Sequence, residues 1–396
     1  MSGIRAGITT VGRTLGWALM MLMISLVILL AVLWPRNNYL PPEALPFTAQ
    51  RLAHRPIITV DNSPRLQQLA EAEGHINING PSMVLVPDWV ENPLGKYYLY
   101  FSHHKGDFIR LAYGDMPEGP WTVYEPGVLS LEDSGFPVDS VPQLTPEAGF
   151  AELWQNFSIY IVRDAVLAIY KALVTDQQTR QERSIALSHH KTPHIASPEL
   201  VVDHDNQRIL MFYHGQRDIL SQNTGIASSV DGISFTNTGK TVGGVYMRHF
   251  EYQNKHYLLG SPGILFRSDS LLGPYQPRDR SLFEPNIRHA ALLVEKGSLM
   301  VAWSRVGEAP EKILLSRIDL SPADWDRWRA SEGVELLRPE LSWEGADIEP
   351  LPSLRGEIVI AANQLRDPHL FKDQDGSKYL LYVGAGEQAI GIASLE

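Results

Sequence analysis

The chain has 396 residues, 44% of them hydrophobic, which is enough to bury a large core or to build more than one domain. A formal charge of -11 argues against nucleic acid as the main partner, and the absence of cysteine excludes both a disulfide framework and a thiolate metal site. Nine Trp and fifteen Tyr supply ample aromatic surface for core packing or for ligand faces.

Residues 1–14 are polar and carry Arg5 and Arg13. Leu15 to Trp34 is free of charge and bounded by tryptophans, which predicts a transmembrane anchor of about twenty residues. The arginines before it outnumber Arg36 behind it, so the N-terminus is expected inside and the body periplasmic or extracellular. A cleaved signal peptide is the alternative, but the run is long for one and no small-x-small site follows. Residues 35–54 then form a proline-bearing tether, and 55–396 the folded body.

From Asn77 to Tyr124, apolar runs of strand length alternate with Gly/Pro or polar turns, and none has helical period. The phrase returns four times. H-I-A-S-P-E-L-V-V starts the second copy at His194, V-Y-M-R-H-F the third at Val245, R-H-A-A-L-L-V the fourth at Arg288, and R-D-P-H-L-F the fifth at Arg366. Asp115 precedes Gly119-Pro120-Trp121 at the spacing by which Asp269 precedes Gly273-Pro274-Tyr275. Repeats of about 40–50 residues with about four strands each predict an all-β, five-bladed β-propeller, with a β-sandwich as the alternative. The fifth copy ends after its third strand, so Ile57–Val60 is expected to supply the missing edge strand. Residues 138–192 belong to no copy. Apolar positions at helical spacing across Glu147–Val174 predict a helical insertion between blades 1 and 2, either a lid or a cap.

In such a ring, the start of each innermost strand and the end of the next strand converge on one channel mouth. Those positions carry Asn79, Ser102, His103, His104 and Lys105 from blade 1, and His194, Ser197 and His214 from blade 2. Arg248 comes from blade 3, Arg288, His289, Arg305 and Glu308 from blade 4, and Arg366, Asp367 and Glu387 from blade 5. Glu199, two residues inside its strand, is expected to face away from the pore.

The five units, the S-P-E-L and R-D-P-H-L-F strand starts, the K-Y-Y-L-Y and K-Y-L-L-Y second strands and the D-G-I-S-F turn resemble the five-bladed propeller glycoside hydrolases of family 43 and its relatives. The resemblance implies a carbohydrate substrate and two carboxylates from different blades, one a general base for water and one a general acid for the leaving oxygen. The sequence departs from that pattern at Asn79-Gly80-Pro81, where a base is expected and an amide stands; only Asp367 keeps Asp before Pro. Asp367 is therefore the candidate base, and Glu308 or Glu387 the candidate acid. Asn79, His103, His104, His194, His214, Arg248, Arg288, His289, Arg305 and Arg366 are candidate substrate contacts. Four channel arginines suit an anionic sugar or, in a phosphorylase, inorganic phosphate. A glycan-binding propeller without turnover is the alternative of another class. No cofactor is expected, and His194, His214 and His289 are not expected to hold a metal.

Overall fold

The computed structural model describes residues 39–142, 192–218 and 221–396. The predicted anchor at 15–34 and the predicted helices of Glu147–Val174 lie outside these residues. Among the described residues no helix is long and apolar enough to cross a membrane.

Five four-stranded antiparallel sheets follow one another along the chain. Blade 1 takes Asn79–Leu85, Tyr97–Ser102, Phe108–Gly114 and Thr122–Ser130. Blade 2 takes Ile195–Asp203, Arg208–Asp218, Ser221–Ser229 and Thr236–Gly243. Blade 3 is made of Val245–Tyr252, Lys255–Ser261, Ile264–Ser268 and Gln276–Pro277, and blade 4 of Ile287–Glu295, Ser298–Arg305, Ile313–Asp319 and Val334–Leu337. Blade 5 has Arg366–Lys372, Lys378–Gly384 and Ala389–Leu395. Each innermost strand touches the innermost strand of the blade before and the blade after, and the fifth returns to the first. That closed ring is the predicted five-bladed propeller.

The second strand of a blade lies between two neighbouring blades, so both its faces are buried. Tyr97–Ser102 is buried at every position, whereas the outermost strand Thr122–Ser130 is exposed at several. The two-residue period of the strand divides its side chains between the neighbours. Tyr98 and Tyr100 enter the core shared with Ile209, Met211 and Tyr213 of blade 2. Tyr97, Leu99 and Phe101 enter the core shared with Leu381 and Val383 of blade 5. Blade 4 repeats the division: Leu299, Val301 and Trp303 pack toward blade 3, Met300 and Ala302 toward blade 5. At roughly 1.5–3 kcal/mol per fully buried large apolar side chain, these seams hold the ring. The matched turns predicted from Asp115 and Asp269 are equivalent: Gly119 and Gly273 both take positive φ, 91° and 78°, ahead of the outermost strand.

The closing strand is not the expected one. Ala49–Arg51 pairs with Leu395, Ser394 and Ala393 as the fourth strand of blade 5. Ile57–Val60 contributes a single bridge, Ile58 to Ile390, beside that edge. The chain leaves the edge there because the Thr59 hydroxyl accepts the Asp61 N–H and Asn62 Oδ1 accepts the Thr59 N–H, which turns Val60–Asn62 into a 3-10 helix. An α-helix over Pro64–Glu73, not anticipated from the sequence, follows. Ser63 Oγ accepts the Leu66 N–H, Pro64 stands at the first position, and Gly74 ends the helix at φ +74°.

Candidate active site at the channel mouth

All five innermost strands break register at their start, between Asn79 and Ser82, Ala196 and Glu199, Val245 and Arg248, Ile287 and Ala290, and Arg366 and His369. A bulge re-aims the side chains it carries. The equivalent pairs inside the bulges are Gly80-Pro81, Ser197-Pro198, Tyr246-Met247, Arg288-His289 and Asp367-Pro368. Gly80, Ser197, Tyr246 and Asp367 take left-handed φ of 60°, 51°, 55° and 45°. For the three non-glycine residues this costs roughly 1–2 kcal/mol each, which the packed ring supplies.

Asp367 is 1% exposed. Its Oδ1 meets His289 Nδ1 across the seam between blades 5 and 4, and its Oδ2 accepts the Gly80 N–H at 3.3 Å. The His289 imidazole packs against Tyr246 with ring centres 4.2 Å apart, Tyr246 against His214 at 4.5 Å, and His214 against His194 at 5.8 Å. A row of rings thus leads from blade 2 to Asp367. Burial, and then neighbouring cations or imidazoles, push His289 and His214 well below the usual histidine range. Burial also lowers His194, to about 4. All three are therefore neutral near pH 7. His194 Nδ1 donates to Thr192 O at 2.8 Å, and its Nε2 lies 3.3 Å from the Gln222 amide. Both ring nitrogens of His214 are buried without a hydrogen-bond partner among the described residues.

The candidate arginines are paired with carboxylates. Arg248 donates to Glu199 at 2.8 Å and to the carbonyls of Pro198 and Ala290. Arg288 holds both oxygens of Glu311, at 2.7 and 3.0 Å. Arg366 donates to Glu387 at 3.0 Å and to Gln364. Arg305, more exposed, lies 3.5 Å from Glu308 and over the Trp303 ring.

Glu387 accepts from Asn77 at 2.7 Å and Asn79 at 3.3 Å, and lies 3.4 Å from His104 Nδ1. Burial opposes ionisation, but His104 and Arg366 hold the carboxyl below its ordinary range. It is an anchor that stays charged, which is unsuited to giving a proton. Glu308 differs: burial raises its pKa, with Arg305 and Lys312 opposing, and its Oε2 is buried without a hydrogen-bond partner among the described residues. Asn79 Oδ1 accepts from Ser102 Oγ at 2.8 Å, and Ser102 Oγ accepts the Ser197 N–H at 3.0 Å, which stitches blade 1 to blade 2.

Glu199 faces the channel and not away from it. The register break shifts it, Ser82, Arg248, Ala290 and His369 to one equivalent position. Ser82 Oγ donates to Glu199 at 3.4 Å, and His369 Nδ1 lies 3.9 Å from it. Sequence reasoning also passed over Tyr246, although the alignment of V-Y-M-R with R-D-P-H puts it at the position of Asp367. Glu311, Glu357 and Asn77 carried no repeat signal.

Beside the mouth, His103 Nε2 donates to Glu73 at 2.7 Å, and Lys105 pairs with Glu357 at 2.9 Å. Glu73, His75 and His103 are close enough together to suggest a cation site. His103 Nδ1, however, accepts the Lys105 N–H at 2.9 Å, so the neutral ring carries its proton on Nε2 and offers a cation no lone pair there. A cavity of about 460 Å³ opens at the other end of the channel, between Met83, Trp89, Leu200, His204, His249 and Phe371. None of Asp367, His289, Tyr246 and His214 lines it.

No protein-family model matches the chain. It is 31% identical over 350 residues to an uncharacterised protein of Acanthamoeba polyphaga mimivirus, a match that spans 82% of this chain and 85% of that one. Among solved structures it is similar to a family 43 glycoside hydrolase from Xanthomonas citri, with 11% identity, a TM-score of 0.48, and 88% and 91% of the two chains covered. It is similar to the α-L-arabinofuranosidase of Podospora anserina, with 11% identity, a TM-score of 0.49, and 90% and 98% covered. A third is a structure from the family 130 mannoside phosphorylases and glycoside hydrolases, with 13% identity, a TM-score of 0.48, and 91% and 96% covered. At such identities the likeness is one of fold.

Proposed function

The chain belongs to the same family as the uncharacterised mimivirus protein, and for this member we propose a carbohydrate-active propeller that hydrolyses glycosidic bonds at its channel mouth. The supporting observation is Asp367, a buried carboxylate held in a left-handed bulge, paired with no guanidinium among the described residues and facing a neutral imidazole. Glu308, whose pKa burial raises, is the candidate proton donor, and a carboxyl held above its ordinary range suits that role. Arg248, Arg288 and Arg366 already satisfy carboxylates, which favours a neutral sugar over an anionic one and hydrolysis over attack by phosphate. The run Leu15 to Trp34 supports a membrane tether with the propeller exported.

The test is a screen of neutral and anionic oligosaccharides for hydrolysis and for binding. Asp367→Asn is expected to abolish turnover and to leave binding. Binding without any product from the wild type would instead make the protein a glycan-binding propeller.

A further inference from the structure

We infer that the atom that takes the proton from water in this site is Nε2 of His289, and that Asp367 is the residue that positions it. This rests on the glycosidase reading. The register breaks place Arg288-His289 of blade 4 and Asp367-Pro368 of blade 5 at equivalent positions on adjacent strands. Both carboxylate oxygens of Asp367 point at protein groups, Oδ1 at His289 Nδ1 and Oδ2 at the Gly80 N–H. Neither is left to face a water, so Asp367 is badly placed as a direct base. It is well placed to accept the Nδ1 proton of His289 and so to fix the tautomer.

His289 Nε2 makes no hydrogen bond among the described residues, and Tyr246 packs on the ring and holds its angle. The groups around the imidazole are Asp367 from blade 5, Arg366 from the same strand, Arg288 on its own strand, Arg248 and Tyr246 from blade 3, and His104 from blade 1. Burial first, and then the cations, keep the ring neutral, so its Nε2 lone pair is available.

The step balances as a single displacement. The water oxygen bonds to the anomeric carbon while its proton passes to Nε2. The bond from that carbon to the leaving oxygen breaks, its electron pair goes to the oxygen, and the Glu308 carboxylic acid protonates it. The imidazolium then returns a proton to the Glu308 carboxylate through solvent, so the net reaction adds one water across one glycosidic bond.

The test has two arms. Long-range proton–nitrogen spectra of ¹⁵N-labelled full-length protein at pH 7 are expected to show His289 neutral with its proton on Nδ1, the signal being assigned by its loss in His289→Gln. Asp367→Asn, whose side-chain NH₂ can donate, is expected to move that proton to Nε2. On any glycan that the wild type hydrolyses, both variants are expected to lower kcat by about 10³-fold with little change in KM. The acid limb of the wild-type rate is expected below the usual histidine range. A wild-type ring protonated on Nε2, or a tautomer indifferent to Asp367→Asn, overturns the inference even if His289→Gln misfolds. Full activity in His289→Gln with none in Asp367→Asn overturns it too, but leaves the glycosidase reading standing. No hydrolysis of any glycan by the wild type brings down that reading and the proton transfer with it.

Discussion

Arg248 Nη1 of blade 3 lies 2.8 Å from Glu199 Oε2 of blade 2, both side chains nearly inaccessible, so two blades are joined by one charge pair at the channel axis. Removing one partner of such a pair leaves a buried charge uncompensated. Arg248→Met is therefore expected to destabilise the propeller by roughly 3–5 kcal/mol, and Arg248→Met with Glu199→Met by clearly less. Urea unfolding of the two variants checks this; equal losses would mean that the pair is not coupled.

Acid is expected to loosen the ring. Glu311, Glu357 and Glu387 are buried, and their cationic partners hold each carboxyl below its ordinary 4.5. A depressed folded pKa contributes stability above the unfolded value and loses it as pH falls through the folded one. Glu199 has the opposite sign, because burial raises it despite Arg248. With three groups against one, the melting temperature is expected to fall below about pH 4.5. Glu311→Gln is expected to shallow that fall while lowering stability at neutral pH; an unchanged slope would argue against the assignment.

Ring closure is expected to depend on Arg51. Its guanidinium donates to both oxygens of the buried Glu344, at 2.7 and 2.8 Å, and to Glu340 at 2.6 Å. Arg51→Ala leaves Glu344 with the Tyr382 hydroxyl and two backbone N–H groups. A loss of about 3 kcal/mol is expected by calorimetry. A chain shortened to begin at residue 55 lacks the closing strand altogether and is expected to aggregate through the open edge of blade 5. A monomeric, fully folded product of that truncation would show the strand to be dispensable.

For the tether, full-length protein is expected to stay in the membrane fraction through alkaline carbonate washing, and a chain that begins at residue 39 to be released. Release of both would remove the anchor proposal.

The blades were legible because each copy of the repeat carries its own local signal. Apolar runs such as Tyr97–Ser102 are continuous because both faces are buried, and the Gly-Pro turns at 119 and 273 share a register. The closing strand was not legible, because Ala49–Arg51 is short and half-buried, while Ile57–Val60 has the more strand-like composition. Asp367 and His289 were picked out as channel residues from the text, but their contact was not, since it joins residues 78 apart through two bulges.

Amino-acid order alone determined the number of blades, the position of the inner strand starts and the set of residues near the mouth, because hydrophobic period and turn chemistry are local. Only the closed ring decided which charges meet. Three of the four arginines that suggested an anionic ligand, Arg248, Arg288 and Arg366, are satisfied by Glu199, Glu311 and Glu387, and Asp367 is set against the His289 imidazole instead of a guanidinium. That pairing depends on bulges that turn single side chains toward an axis shared by five sheets, and a one-dimensional pattern holds no record of that direction.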